Sequence, residues 1–141
     1  MIHNILIIDA NRSLSATHAS LLIESGFEVA MADNLSAASA QLRSTAYSLV
    51  ITEFTLWDSA KNGDLSLIRH IRTLRPGTPV LVLTSRTNPV LHRRARGLGV
   101  WDIALKPTPP SELVSLVKNI LVAVYPERSK CASQLLDWKP S

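Results

Sequence analysis

Four short apolar runs, each ended by a residue that carries chemistry, constrain this chain more than any other feature. Ile5-Leu6-Ile7-Ile8 runs into Asp9, and Leu49-Val50-Ile51-Thr52 runs into Glu53. Val80-Leu81-Val82-Leu83 runs into Thr84, and Ile103-Ala104-Leu105 into Lys106-Pro107. Nearly unbroken Ile, Leu and Val, without polar alternation, is the pattern of a strand buried on both faces, which favours a parallel sheet covered by helices. The predicted strands are residues 4–9, 28–31, 48–53, 79–84 and 101–105.

Helical patterns fill the intervals. Leu14, Thr17, His18, Leu21 and Leu22 recur at the spacing of one helix face, closed by Gly26. A second helix starts after Asp33-Asn34, either of which can cap it, and is predicted to bury Leu35, Ala38 and Leu42. A third covers about 64–74, turns Leu67, Ile68 and Ile71 inward, and stops at Pro76-Gly77. A fourth covers about 89–98 and ends at Gly99. The fifth is predicted to open with Thr108 as cap and Pro109 at its first position, and to bury Leu113, Leu116, Val117, Ile120 and Val124. Five βα units with right-handed crossovers predict an α/β three-layer sandwich, flavodoxin-like, with a parallel five-stranded sheet in the order 2-1-3-4-5. Residues 1–125 form the predicted domain, and 126–141 read as a loose polar tail.

At 141 residues and 46% hydrophobic content, the chain has enough apolar material for one core. No apolar run reaches the roughly 20 residues of a membrane span, and no signal peptide is visible, so a cytoplasmic, membrane-free protein is expected. The lone Cys131 excludes an internal disulfide. The net charge of +4 permits acidic partners. The basic stretch His92-Arg93-Arg94-Ala95-Arg96 is short and has no interleaved aromatics, so it reads as a solvated helix face rather than a nucleic-acid surface.

In an open parallel sheet the functional crevice lies beyond the carboxyl ends of the strands. Asp9, Glu53, Thr84 and Lys106 all fall there. A polar residue that ends a strand to meet solvent explains any one of them, but explains four complementary groups poorly.

With these residues in that order, the chain resembles a response-regulator receiver domain, the phosphoacceptor half of two-component signalling, over nearly all of residues 3–124. Gly26-Phe27-Glu28-Val29, Ser85 after Thr84, Gly97-Leu98-Gly99 and Lys106-Pro107 add to the match. The resemblance implies that Asp9 belongs to an acidic set holding Mg²⁺ with the acceptor. It implies that Thr84 is the switch hydroxyl, that Lys106 pairs with the phosphoryl group, and that the Lys106-Pro107 bond is cis. It also implies that the fourth helix, fifth strand and fifth helix form the output surface, where Arg93, Arg94, Arg96 and Trp101 lie. The partner would be a histidine kinase, an output protein or a second copy.

Several positions depart from that family pattern. Glu53 stands in place of the acceptor aspartate, Ala10 in place of the second acid, Ile103 in place of the switch aromatic, and Trp57 in place of a proline. Mg²⁺ needs several oxygen ligands in near-octahedral geometry, so losing the carboxylate at position 10 weakens its site, and Asn11 offers only an uncharged carbonyl. Asp9, Glu53 and Lys106 leave one net negative charge, where the family pattern leaves two. Glu also carries its carboxylate about 1.5 Å further from the backbone, and an error of about 1 Å in an in-line attack costs on the order of 10²-fold. The expectation is a pseudo-receiver that acts by binding and is not an enzyme. Its Glu53 either mimics a phosphoryl group or merely neutralises Lys106.

The alternatives are a working receiver phosphorylated at Glu53 or at the loop acids Asp58 or Asp64, and a haloacid-dehalogenase-like phosphatase. The second rests on a faint resemblance of Asp9-Ala10-Asn11 to an Asp-x-Asp motif, and it lacks the second acid. A dinucleotide site is excluded by the absence of glycine in Asp9-Ala10-Asn11-Arg12-Ser13.

Overall fold

The computed structural model describes residues 2–54 and 65–126. Five strands alternate with five helices: β1 (Asn4–Ile8), α1 (Arg12–Glu24), β2 (Glu28–Ala32), α2 (Leu35–Ser44), β3 (Leu49–Thr52), α3 (Ser66–Leu74), β4 (Val80–Thr84), α4 (Pro89–Gly97), β5 (Asp102–Leu105) and α5 (Pro110–Val124). All pairings are parallel and the order is β2-β1-β3-β4-β5, as the alternation predicts.

The unbroken apolar runs are explained by two cores, one on each sheet face. Successive residues of a strand point to opposite faces. Leu6, Ile8, Val50, Val80 and Val82 therefore meet Ala38 and Leu42 of α2, Leu67, Ile68 and Ile71 of α3, and Leu91 and Ala95 of α4. Ile5, Ile7, Leu49, Ile51, Leu81 and Leu83 face Ala19 and Leu22 of α1 and Leu113, Val117, Ile120 and Leu121 of α5. With helices on both faces, the interiors of β1, β3 and β4 are apolar on both sides.

Three details of the helices differ from the sequence reading. In α1 the buried face is Ser15, His18, Ala19 and Leu22, while Thr17 is exposed and Leu14 and Leu21 are half-buried. The buried face thus mixes the small Ser15 and Ala19 with His18 and Leu22. In α2, Leu35 is exposed and Ser39 takes an inward place, its hydroxyl 2.7 Å from Nε2 of His70 on α3. The start of α5 lies one residue later than expected. Pro109 is its cap residue and Pro110 enters the first turn, because the Thr108 hydroxyl donates back to the Leu105 carbonyl instead of capping. In the same helix Leu121 is buried, while Leu116 and Val124 are half-buried.

The other punctuation agrees with expectation. Asn34 caps α2 by accepting from the Ala37 amide, and Gly26 and Gly99 take positive φ (98° and 89°) just beyond α1 and α4. No helix among the described residues is long and apolar enough to cross a membrane. All of the predicted tail beyond Pro126 and the loop acids Asp58 and Asp64 lie outside the described residues, as does Trp57.

Candidate functional site

Each of the four strand-end residues is fixed by a backbone hydrogen bond to the neighbouring strand. The Asp9 amide donates to the Ala32 carbonyl (3.1 Å) and the Glu53 amide to Ile8 (3.2 Å). The Lys106 amide donates to the Thr84 carbonyl (2.7 Å). The ladders thus run one residue past the strands and hold these α-carbons in register along one edge of the sheet.

From that edge the side chains of Asp9, Glu53 and Lys106 meet. Lys106 Nζ donates to Asp9 Oδ2 at 2.6 Å and to Glu53 Oε1 at 3.3 Å, with all three side chains largely buried. The second oxygen of each acid is also engaged. Asp9 Oδ1 accepts from the Asn11 amide (3.0 Å), and Glu53 Oε2 accepts from the Phe54 amide (2.9 Å). Lys106 therefore sits between two carboxylates, and each carboxylate has a donor on both oxygens. Charge-assisted contacts of this kind are stronger than neutral ones.

Thr84 is fully buried beside this group, and its Oγ1 accepts from the Arg86 amide (3.0 Å). Asn11 does not face the crevice as a spare ligand, because its Oδ1 caps α1 by accepting from the Leu14 amide. The Lys106-Pro107 peptide bond is cis. Ile103 is half-buried and packs against the core beneath α2, α3 and α4.

His18, placed by sequence on the inner face of α1 without a role, belongs to the same electrostatic environment. Burial makes it a weaker base than an ordinary imidazole, the positive charge of Lys106 adds to that, and Asp9 opposes it in part. The other residue that sequence reasoning passed over is Ser15, one turn earlier, whose buried hydroxyl has no hydrogen-bond partner. A serine among leucines and alanines gives little signal, because helix interiors often carry one.

Among the described residues, no cluster of three acidic, histidine or cysteine side chains is arranged to hold a metal ion. The donors nearest to such a site are Asp9 and Glu53, and the Lys106 ammonium already occupies one oxygen of each.

Away from the crevice, Arg93 and Arg94 are exposed on α4, Arg96 lies 3.7 Å from Asp102, and Trp101 is 48% exposed at the start of β5.

The sequence model of the response regulator receiver domain matches residues 5–118, most of the chain. This chain belongs to that family. The receiver domain is 28% identical over 111 residues to a response regulator receiver protein of Anaeromyxobacter sp. (strain Fw109-5), covering 79% of this chain and 45% of that protein. It is 29% identical over 124 residues to the transcriptional regulatory protein AruR of Pseudomonas aeruginosa, covering 86% of this chain and 50% of that protein. The receiver domain thus spans about half the length of these curated relatives. In fold it is similar to a CheY-like receiver domain protein of Methanospirillum hungatei JF-1, with a TM-score of 0.81 at 21% identity, covering 90% of this chain and 99% of that one. It is a two-component receiver domain, and domains of this class are generally signalling modules.

Proposed function

We propose that this receiver domain acts as a phosphorylation-independent protein-interaction module in a two-component pathway. One observation supports this above the others: Lys106 Nζ lies between the carboxylates of Asp9 and Glu53, at 2.6 and 3.3 Å. In the family that this chain resembles, the lysine pairs with the phosphoryl group and the acids hold a divalent cation. Here the ammonium is itself the cation that the acids hold. Mg²⁺ would have to displace it to gain two carboxylates, with Ala10 and the capping Asn11 offering no third anionic ligand. Asp9 and Glu53 offer Mg²⁺ a weaker site than three carboxylates would.

Of the two readings of Glu53, the inert one has more support. A glutamate that mimicked a phosphoryl group would draw in the Thr84 hydroxyl. Among the described residues Thr84 makes no hydrogen bond to Glu53, its Oγ1 accepting from the Arg86 amide, and Ile103 packs against the core with no aromatic ring to move. The phosphatase reading loses support too, since Asn11, at the position of that motif's second acid, is uncharged and bound into the helix cap.

The interaction face is assigned to α4, β5 and α5. Arg93, Arg94 and Arg96 supply positive charge and Trp101 an aromatic anchor, and Leu105 adds exposed apolar surface on the edge strand β5. The partner is a signalling protein with an acidic complementary face, or a second copy of the domain. A nucleic-acid partner has only the short arginine cluster in its favour, and Arg96 is already near Asp102.

The test is incubation with Mg²⁺ and acetyl phosphate followed by intact mass. The expected result is no adduct on the wild type or on Glu53→Asp, and an adduct on Ala10→Asp/Glu53→Asp, where the carboxylate missing at position 10 is restored and the acceptor is shortened to aspartate. A hydroxylamine-labile adduct on the wild type would overturn the proposal. Peptide mapping would then assign it to Glu53, Asp9, Asp58 or Asp64.

A further inference from the structure

The two helical layers carry their charge differently. On one face of the sheet, α1 holds Arg12 and Glu24, and α5 holds Glu112 and Lys118, one base and one acid in each. On the other face, α2, α3 and α4 hold six arginines and no acid: Arg43, then Arg69 and Arg72, then Arg93, Arg94 and Arg96. Arg75, the residue that ends α3, adds another.

Among the described residues, only Arg96 of this set has an acid near it, Asp102 at 3.7 Å. Arg43, Arg69, Arg93 and Arg94 are exposed and form no ion pair with any described residue. Arg72 and Arg75 are half-buried and bind backbone carbonyls. Arg72 Nη1 donates to Thr78 at 3.3 Å, and Arg75 donates to Leu42 from Nε at 2.6 Å and to Arg43 from Nη2 at 3.4 Å. A carbonyl fixes the direction of a guanidinium without cancelling its charge.

The helix dipole favours cations in a last turn, which accounts for Arg43, Arg72, Arg94 and Arg96. It does not account for Arg69 and Arg93, which stand three residues before Arg72 and Arg96. Like charges at that spacing are neighbours on a helix surface and repel each other. A face that only meets solvent does better with both signs interspersed, and these three helices have one sign alone.

From this charge pattern we infer that the α2–α3–α4 layer is a docking surface for a carboxylate-rich segment of a partner protein. The inference rests on the reading of this domain as an interaction module, and it places the contact on α3 together with α4, away from β5 and α5. Guanidinium groups meet carboxylates in two-pronged, charge-assisted pairs, and carboxylates are what this layer lacks. Arg72 and Arg75, already held by carbonyls, lose little freedom when a partner arrives. A second copy supplies no matching surface from its described residues, because the exposed acids Glu24, Glu28 and Glu112 are dispersed over α1, β2 and α5. A single-stranded nucleic acid shares the charge but gains from aromatic side chains on which its bases stack, and α2, α3 and α4 contain no Phe, Tyr or Trp.

The experiment titrates the ¹⁵N-labelled full chain with a short polyglutamate peptide at physiological ionic strength, where exposed charges more than about 8 Å apart are largely screened. No phosphodonor is added, so the result is independent of whether Glu53 accepts a phosphoryl group. The expected result is saturable amide shifts along α3 and α4. Arg69→Glu and Arg93→Glu each weaken binding about tenfold, the order of one charge-assisted hydrogen bond. Lys118→Glu makes the same change of net charge on α5 and weakens binding less than about twofold. Equal weakening by Arg69→Glu and Lys118→Glu would reduce the effect to net charge and overturn the inference. Greater weakening by Lys118→Glu, with shifts on β5 and α5, would overturn it while leaving the α4–β5–α5 face as the interaction surface. Shifts that do not saturate overturn it as well. Tighter binding of a DNA duplex of equal charge would overturn the protein partner in favour of a nucleic acid.

Discussion

Without the Lys106 ammonium, the Asp9 and Glu53 carboxylates would share the crevice with only the Asn11 and Phe54 amides as partners. Breaking a largely buried charge pair from one side costs about 3 kcal/mol, most of it from the charge left behind. Lys106→Met is therefore expected to lower unfolding stability by about that amount. Lys106→Met/Glu53→Gln should recover part of the loss, since one of the stranded charges is gone. Urea unfolding of the wild type and both variants measures this, and equal stability of the single and double variants would contradict it. His18 gives a second residue-scale prediction. Its folded-state pKa is depressed, so the unfolded chain, with its imidazole near the ordinary 6.5, binds the proton more readily. Stability is thus undiminished above about 6.5 and falls with pH below that value, levelling off once the folded-state pKa is passed. A His18→Phe variant should show a smaller drop in urea midpoint between neutral and mildly acidic pH.

The helices show what could and could not be seen beforehand. Strand positions were legible because burial on both faces admits only apolar residues, which leaves an unbroken run. Helix faces were less so. Leu14 and Leu21 outweigh Ser15 and Ala19 on any hydrophobic scale, yet Ser15 and Ala19 are buried with His18 and Leu22 while both leucines are half-buried. The site was legible for the same reason as the strands: Asp9, Glu53 and Lys106 stand where apolar runs stop. The shorter Lys106 contact to Asp9 and the Phe54 amide on Glu53 depend on side-chain direction, which periodicity does not encode.

Two glycines permit a test at the element scale. Gly99 ends α4 with φ of 89°, and a Cβ there would meet the Arg72 guanidinium at 3.2 Å, so Gly99→Ala should cost at least about 1 kcal/mol. Gly97, in the last turn of α4, has no positive φ and open space around it, so Gly97→Ala should stabilise by about 0.5–1 kcal/mol. Thermal unfolding should move in opposite directions for the two variants.

Across the whole molecule, the two cores share one central sheet, so neither face can be loosened alone. Ile51, 1% exposed on the α1–α5 side, and Val50, fully buried on the other, are neighbours in one strand. Ile51→Ala is expected to cost about 2–5 kcal/mol. It should lower the amide protection of β1, β3 and β4 together rather than only near α1 and α5. Hydrogen exchange that opened one face and spared the other would count against this shared core.

The site also has an order of assembly. Asp9 and Lys106 are 97 residues apart in the chain, and Glu53 lies between them. Lys106 arrives with β5, the last strand and an edge of the sheet. During synthesis from the N-terminus, both acids emerge and can fold into β1 and β3 while their counter-ion is still to be translated. Until β5 docks, the nascent domain holds two neighbouring carboxylates without their ammonium. Neutralisation of the crevice thus waits on the last strand: only a chain translated through residue 106, with β5 in place, presents the finished charge pattern.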